Sequence, residues 1–386
     1  MPAIRRNLSA TWINSLMLTI PFVNLKAQYE AIKPEIDGAI AQVINEASFI
    51  GGHFVKEFES EFGKRYGARN VISCANGSDS LYILMRMLGI GAGDEVITAA
   101  NSWISNGETI SQTGARPVFI DVDADFFSID ESKIEAGITE KTKALIPVHL
   151  HGQVCEMEKL QAICQRHNLF MIEDCAQAHF SSYKNTLAGL FGNAGSFSFY
   201  PTKNLGAYGD AGAIITGDDS LALQCRMYTQ HGSLTKHEHQ IEGINSRLDA
   251  LQAAVLKVKL SHIESWIQRR IYNASLYDQY LGGIEEIVLP MVRPNTKHSF
   301  HLYVIRARER NELKYFLKAN HIETALHYPR ALPNLAVYNY LGYKPSDFPV
   351  ATQLEHEILS LPMYPELAED MISYIATKIK AFYKKG

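Results

Sequence analysis

Leu169-Phe170-Met171-Ile172 is a short, wholly apolar run that stops abruptly at Glu173-Asp174-Cys175-Ala176-Gln177-Ala178-His179. An apolar run of that length after a helical stretch over 157–168 reads as a strand buried on both faces, the habit of parallel strands in α/β proteins. Acidic residues directly after such a strand stand at the carboxyl edge of the sheet, where α/β proteins place their ligands. Asp174 in that position can pair with a protonated ring nitrogen or cap the segment that follows.

Working outward, the same rhythm recurs on the N-terminal side. Strand patterns over 71–74, 95–98, 117–122 and 144–150 alternate with helical patterns over 81–88, 104–112, 131–136 and 157–168. Alternation of this kind predicts an α/β fold with a mostly parallel sheet flanked by helices. Ahead of it, amphipathic helices are expected over 29–45 and 56–66, separated by Ser48-Phe49-Ile50-Gly51-Gly52. Between the strand at 71–74 and its helix lies Ala75-Asn76-Gly77-Ser78-Asp79-Ser80. Backbone N–H groups and a helix dipole converge in such a turn, which makes either a phosphate cradle or an ordinary N-cap supplied by Ser78 or Asp79.

On the C-terminal side, Ser196-Phe197-Ser198-Phe199-Tyr200-Pro201-Thr202-Lys203-Asn204-Leu205-Gly206-Ala207-Tyr208-Gly209-Asp210 runs from a strand through a turn bearing one lysine toward a second strand at 212–216. A lysine that is to act as an amine nucleophile must be desolvated, held at a fixed point and free of ion pairs, and a strand end provides this. The plainer reading of Lys203 is a solvated loop lysine. Beyond it come a helix over 220–230, a polar loop, a cap at Gly243-Ile244-Asn245-Ser246-Arg247-Leu248-Asp249, and helical text over 250–260 and 262–280. Gly282-Gly283 punctuates the entry to a smaller α+β domain, with strands near 287–289 and 301–307 and helices over 309–319 and 369–383. The chain therefore divides into an N-terminal extension (1–20) outside the core, a large domain (21–260), and a linking helix with a small C-terminal domain (261–386).

The 386 residues carry a net charge of −4, which argues against nucleic acid or anionic membrane as a partner. Five cysteines, odd in number and without CxxC spacing, support neither a disulfide framework nor a zinc site; no metal is expected, and a reducing cytoplasm suits them. Arg5-Arg6 precedes a partly apolar run over 10–20 that Asn14, Ser15 and Thr19 interrupt. It reads as an extension, or as residues ahead of a start at Met17, rather than an export signal. No apolar stretch is long enough to span a bilayer.

With these segments in order, the chain resembles the DegT/StrS nucleotide-sugar aminotransferases, pyridoxal 5′-phosphate (PLP) enzymes of the aspartate-aminotransferase fold. The resemblance is carried by Asn76 to Leu81, Gly91-Ala92-Gly93-Asp94-Glu95-Val96-Ile97, Pro147-Val148-His149-Leu150, Glu173 to Gln177, Ser198 to Gly209, and Asn245 to Asp249. Phe199 to Ala207, taken with His149-Leu150-His151-Gly152-Gln153, is most similar to the enzymes that aminate C-3 of a keto sugar. The resemblance implies Lys203 as the Schiff-base lysine and acid/base. It implies Asp174 at the pyridinium nitrogen, Gln177 near the phenolic oxygen, Trp103 on the ring face, and Gly77, Ser78 and Ser198 at the cofactor phosphate. Asn245 is implied to reach the phosphate of a neighbouring subunit, so that complete sites require a homodimer. Arg247, His327 and Tyr328 are candidate contacts to sugar or diphosphate, or else an ion pair and a packed aromatic loop.

Lys203 stands where relatives that dehydrate sugars carry histidine, which favours full transamination. Phe180 and Ala211 depart from the family pattern beside the site. The implied activity is transfer of an amino group from an amino acid, L-glutamate by family analogy, to a dTDP- or UDP-linked 3-keto hexose, for surface polysaccharide or another glycoconjugate. The alternatives are amination at C-4 and a noncatalytic regulator that binds a sugar nucleotide.

Overall fold

The computed structural model describes residues 19–384. Its centre is a seven-stranded sheet made of β1 (Asn70–Cys74), β2 (Glu95–Ala99), β3 (Arg116–Ile120), β4 (Thr142–Ile146), β5 (Phe170–Asp174), β6 (Ala194–Ser198) and β7 (Gly212–Thr216), in the order β1-β7-β6-β5-β4-β2-β3. Six strands run parallel and β7 alone runs against its neighbours β1 and β6. The exception has a local cause: β6 and β7 are joined by the lysine turn with no crossover helix, and a direct connection returns the chain antiparallel.

Helices cover both faces, so alternate residues of the strands enter different cores. Ile72, Ile172 and Ile214 pack with α4 (Gly77–Met87), α5 (Ser105–Thr113) and α7 (Asp219–Tyr228), where chain-order numbering makes α1 Leu25–Ala31, α2 Lys33–Asn45, α3 Gly52–Tyr66 and α6 Met157–His167. Val71, Met171, Ala213 and Ile215 pack on the opposite face with α3, α6 and α8 (Ala250–Leu281). On that side an aromatic group fixes the approach to the lysine turn: Phe62 of α3 meets Phe197 and Phe199 edge-on at 5.5 and 5.6 Å.

Helix α8 is 32 residues long, where the sequence pattern suggests two segments. Nothing breaks it at Ser261, whose hydroxyl bonds back to the Val258 carbonyl at 2.6 Å while the helix continues. Its first half packs in the large-domain core and its last turns, from Ala274, in a second core. That second core lies under a three-stranded antiparallel sheet, β8 (Ile287–Val288), β9 (Tyr303–Ala307) and β10 (Ile358–Leu361), with α9 (Arg310–Ala319) and α11 (Glu369–Tyr383). Between them in sequence is α10 (Pro349–Glu357).

Several expectations shift. The helix expected over 29–45 is two helices parted at Ile32, because Pro34 starts a new one. The segment 131–136 makes two single 3₁₀ turns. The helix after β1 begins at Gly77 instead of 81, and its N-cap is Asn76, whose side chain accepts the Asp79 N–H at 2.8 Å, in place of Ser78 or Asp79. Helix α10 and strand β10, which follow one another without a loop, are elements the sequence reading does not include. Ile20, placed by sequence in the extension, is buried in the second core, and its N–H donates to the His321 carbonyl at 2.8 Å. The readings made on residues 1–18 lie outside the described residues. All five cysteines are buried and unpaired, and among the described residues no helix is long and apolar enough to cross a membrane.

Because Phe62 is fully buried against the strand that leads into the lysine turn, Phe62→Ala is expected to destabilise the chain by about 3–5 kcal/mol in urea unfolding.

Candidate active site

A cavity of about 670 Å³ opens at the carboxyl ends of β1, β5 and β6, bounded by the first turn of α4, the lysine turn and the small domain. Asp174, the last residue of β5, is buried at its floor. Its Oδ2 accepts from Asn106 Nδ2 at 2.7 Å and its Oδ1 from the Ala176 N–H at 3.0 Å, so both oxygens are oriented. Asn106 is itself held through Nδ2 to Ser102 Oγ at 2.8 Å.

Lys203 enters from the turn between β6 and β7. The Lys203 N–H donates to the Tyr200 carbonyl at 2.8 Å, and the turn closes through Ala207 N–H to Phe199 O at 2.7 Å. A side chain at Gly206 would strike the Pro201 carbonyl, which explains the glycine there. Withdrawal from water pushes the Lys203 amine down from 10.5 to about 8, partly offset by attraction to Asp174. At pH 7 roughly one amine in ten is then neutral, against fewer than about one in a thousand for an ordinary lysine.

Beside the lysine lies the start of α4. The N–H groups of Gly77 and Ser78 sit in the first helical turn and have no acceptor within the helix. A Cβ on Gly77 would come within 2.6 Å of Ser198 Cβ, so the missing side chain leaves a small cradle between helix and strand. Ser78 Oγ and Ser105 Oγ share a hydrogen bond of 2.6 Å at its edge. A helix N-terminus with hydroxyls around it is an anion site.

Opposite, Gln177 is locked in one orientation: its Oε1 accepts the His151 N–H at 2.7 Å and its Nε2 donates to the Tyr328 hydroxyl at 2.9 Å. Tyr328 packs against Trp103 with ring centroids 5.5 Å apart, and Trp103 stands at the rim, 56% exposed. His327 Nδ1 pairs with Ser360 Oγ at 2.8 Å, while its carbonyl accepts from His151 Nε2 at 3.2 Å.

The cavity thus brings together Lys203, Asp174, Gln177, Ser198, Gly77, Ser78, Trp103, His327 and Tyr328. Asn245 and Arg247 do not line it; both are exposed on the chain's surface. Their neighbour Ser246 is tied to the cradle, donating to Asp79 Oδ2 at 2.6 Å and accepting the Ala75 N–H at 3.1 Å. Phe180 and Ala211 also stay out of the cavity. Phe180 holds φ at +56°, a conformation glycine adopts more easily, and packs on Tyr66 at 4.9 Å. Sequence reasoning missed Asn106, Ser105 and His301, whose residue types carry no signal until the fold brings them to the site.

His149, Glu173 and Cys175 form a buried cluster of metal-ligand closeness behind the floor. Its carboxylate is already engaged: Glu173 accepts N–H groups of Gly189, Phe191 and Gly192, each at 2.7 Å, and pairs with His149 Nε2 at 3.0 Å. The cluster pins the 189–192 segment to the end of β5.

An amine of lowered basicity, a buried carboxylate and an anion-binding helix start, gathered at one sheet edge, form an enzyme site suited to an aldehyde with an anionic tail. The chain belongs to the DegT/DnrJ/EryC1/StrS aminotransferase family, whose model matches residues 30–380. It is 44% identical to a pleiotropic regulatory protein of Geobacillus stearothermophilus, over 95% of this chain and 99% of that one. It is 40% identical to the dTDP-3-amino-3,4,6-trideoxy-alpha-D-glucose transaminase of Streptomyces venezuelae, over 90% and 92%. The crystal structure of S. venezuelae DesV in complex with a ketimine intermediate superimposes with a TM-score of 0.92 at 38% identity, covering 94% of this chain and 98% of that one.

Two outcomes follow from the geometry. The neutral amine is the form that attacks, and its fraction rises as pH rises through about 8. The rate at which apoprotein takes up PLP, followed by absorbance, should therefore climb through pH 8 and level off near 9, instead of climbing to 10.5. Gly77→Ala fills the cradle and should weaken PLP retention at least about tenfold in equilibrium dialysis, and because its Cβ would press on Ser198 it should also lower stability in urea unfolding.

Proposed function

We propose that this chain is a PLP-dependent aminotransferase that moves an amino group from L-glutamate to a dTDP- or UDP-linked 3-keto hexose, making an amino sugar for polysaccharide or another glycoconjugate in the cytoplasm. The observation that carries the reading is Lys203, desolvated and free of ion pairs, in one cavity with Asp174 and the Gly77–Ser198 cradle. The residues present fit PLP, because the cradle excludes a side chain where a phosphate needs backbone N–H groups. When bound, PLP supplies an electron sink for the pair left as a proton departs from the carbon bearing the amino group.

Lys203 Nζ would hold the cofactor's aldehyde carbon and, once freed by the donor, would serve as the base that takes the donor's α-proton and as the acid that returns a proton. Asp174, oriented by Asn106 and Ala176, holds the proton on the ring nitrogen. Gly77, Ser78 and Ser198 would hold the phosphate, with Gln177 and Trp103 as the further residues that would contact the ring and its phenolic oxygen. His327 and Tyr328 are the sugar-side contacts from the small domain.

Lys203 is the only Lys or Arg side chain lining the cavity among the described residues, although every ligand of the reaction is anionic. Asn245 and Arg247, exposed beside the cradle, are the groups a second subunit would supply, and this favours a homodimer with shared sites.

Lys203→Ala should lose turnover by about 10³–10⁴-fold and should not be labelled by borohydride in the presence of PLP, which fixes the cofactor to the wild type. A wild-type rate in that variant sinks the proposal. Product NMR on a panel of dTDP- and UDP-linked 3-keto and 4-keto sugars separates amination at C-3 from C-4, and a wild-type protein that takes up no PLP would be a regulator. For the shared sites, Lys203→Ala and Asn245→Trp subunits, each inactive alone, should regain activity when co-expressed.

A further inference from the structure

Most histidines buried around the cavity have their ring nitrogens engaged. His149 uses both, accepting the Cys155 N–H at 3.3 Å and pairing with Glu173. His151 donates to the His327 carbonyl, His298 Nδ1 accepts the Phe300 N–H at 2.9 Å, and His327 pairs with Ser360. His179 is turned toward the Ser198 backbone, lies between the rings of Phe197 and Phe199, at 5.7 and 5.6 Å, and does not reach the cavity.

His301 differs from all of these. It lines the cavity with Lys203 and Asp174, is 7% exposed, and its ring makes no hydrogen bond to any described residue, Nδ1 being wholly buried. A buried polar ring left unpartnered in a native site needs an explanation.

The backbone around His301 is fixed. Arg270 Nη1 donates to the carbonyls of Phe300 and His301 at 3.2 and 3.3 Å, and the Leu302 N–H donates to the His151 carbonyl at 3.2 Å. Asn204, next in the chain to Lys203, donates through Nδ2 to the Ser299 carbonyl at 3.1 Å. The ring is thus carried to the cavity on a rigid support tied to the lysine turn, the condition for a contact residue. The charged and titratable groups near it are Lys203, Arg270, His327 and His179, and together with burial they hold its imidazole well below the ordinary range. A neutral ring carries one N–H and one lone pair, and its N–H finds no acceptor among the described residues.

We infer that His301 is a substrate-contacting residue whose ring N–H donates a hydrogen bond to an oxygen that the substrate carries next to the carbon exchanging the amino group. The inference rests on the aminotransferase reading above. That oxygen belongs either to the α-carboxylate of the amino-acid donor or to the sugar hydroxyl beside the ketone, and the two half-reactions separate these sources.

The test compares PLP-loaded wild type, His301→Phe and His301→Asn. Stopped-flow absorbance of the cofactor is followed with L-glutamate alone, then with the keto sugar added to the aminated form, and titration with unreactive glutarate reads binding without turnover. His301→Phe should weaken the saturation constant or rate of one half-reaction by about 10–100-fold and leave the other within about twofold. His301→Asn, which keeps an amide donor, should recover part of the loss. A fall in glutarate affinity assigns the contact to the donor carboxylate; an unchanged one with a slowed sugar half-reaction assigns it to the sugar.

Wild-type constants in both half-reactions for His301→Phe overturn the inference, and His301→Leu is read in its place if the phenylalanine variant does not load PLP. A wild type that converts neither substrate refutes the aminotransferase reading instead.

Discussion

An amine stays partly neutral near pH 7 only where water is withheld and no carboxylate bonds it, and much of this chain serves that condition at Lys203. The aromatic cluster of α3 seals the turn from behind, Gly206 lets it close on itself, and the small domain covers it from above. The nearest acid, Asp174, has both oxygens engaged by Asn106 and Ala176, so it draws on the lysine through space without pairing to it. Desolvation exceeds that attraction, and the amine ends below its ordinary basicity.

The site is also a joint between two cores. The large domain contributes the lysine, the aspartate and the anion cradle, whereas His301, His327 and Tyr328 arrive from the small domain. Hydrogen bonds stitch the two together at short range: Gln177 to Tyr328, His151 to the His327 carbonyl, Asn204 to the Ser299 carbonyl. The two walls of the cavity are therefore set by different parts of the chain, held in register by these few hydrogen bonds.

The parallel sheet was legible because each strand is a short apolar run followed by a helix pattern, and the nearness of Asp174 and Lys203 because one ends a strand and the other lies in the turn after its neighbour. The family resemblance then supplied partners that spacing could not. What sequence did not disclose has a physical reason in each case. Asn106 is an ordinary helical asparagine until β5 places a carboxylate beside it. His301 lies in His298-Ser299-Phe300-His301, where nothing distinguishes the histidine that goes unbonded from the one that accepts a backbone N–H. Strand β10 is four residues whose pairing with β9 depends on contacts some fifty positions away. The start of α4 moved by four residues because Asn76 outcompeted Ser78 and Asp79 as the cap, and that shift puts Gly77 and Ser78 inside the first turn at the cavity wall, where their N–H groups have no acceptor within the helix.

Helix α8 spans both cores as one uninterrupted rod, about 48 Å long at the standard rise. A sharp kink in such a rod would break its internal hydrogen bonds, so the helix resists the wide swing that a flexible strap allows a clamshell. Whatever enters the cavity must therefore pass walls that the rod holds in place, and the exposed side chains at the rim, Trp103 and Tyr200 among them, are the parts left with room to give way.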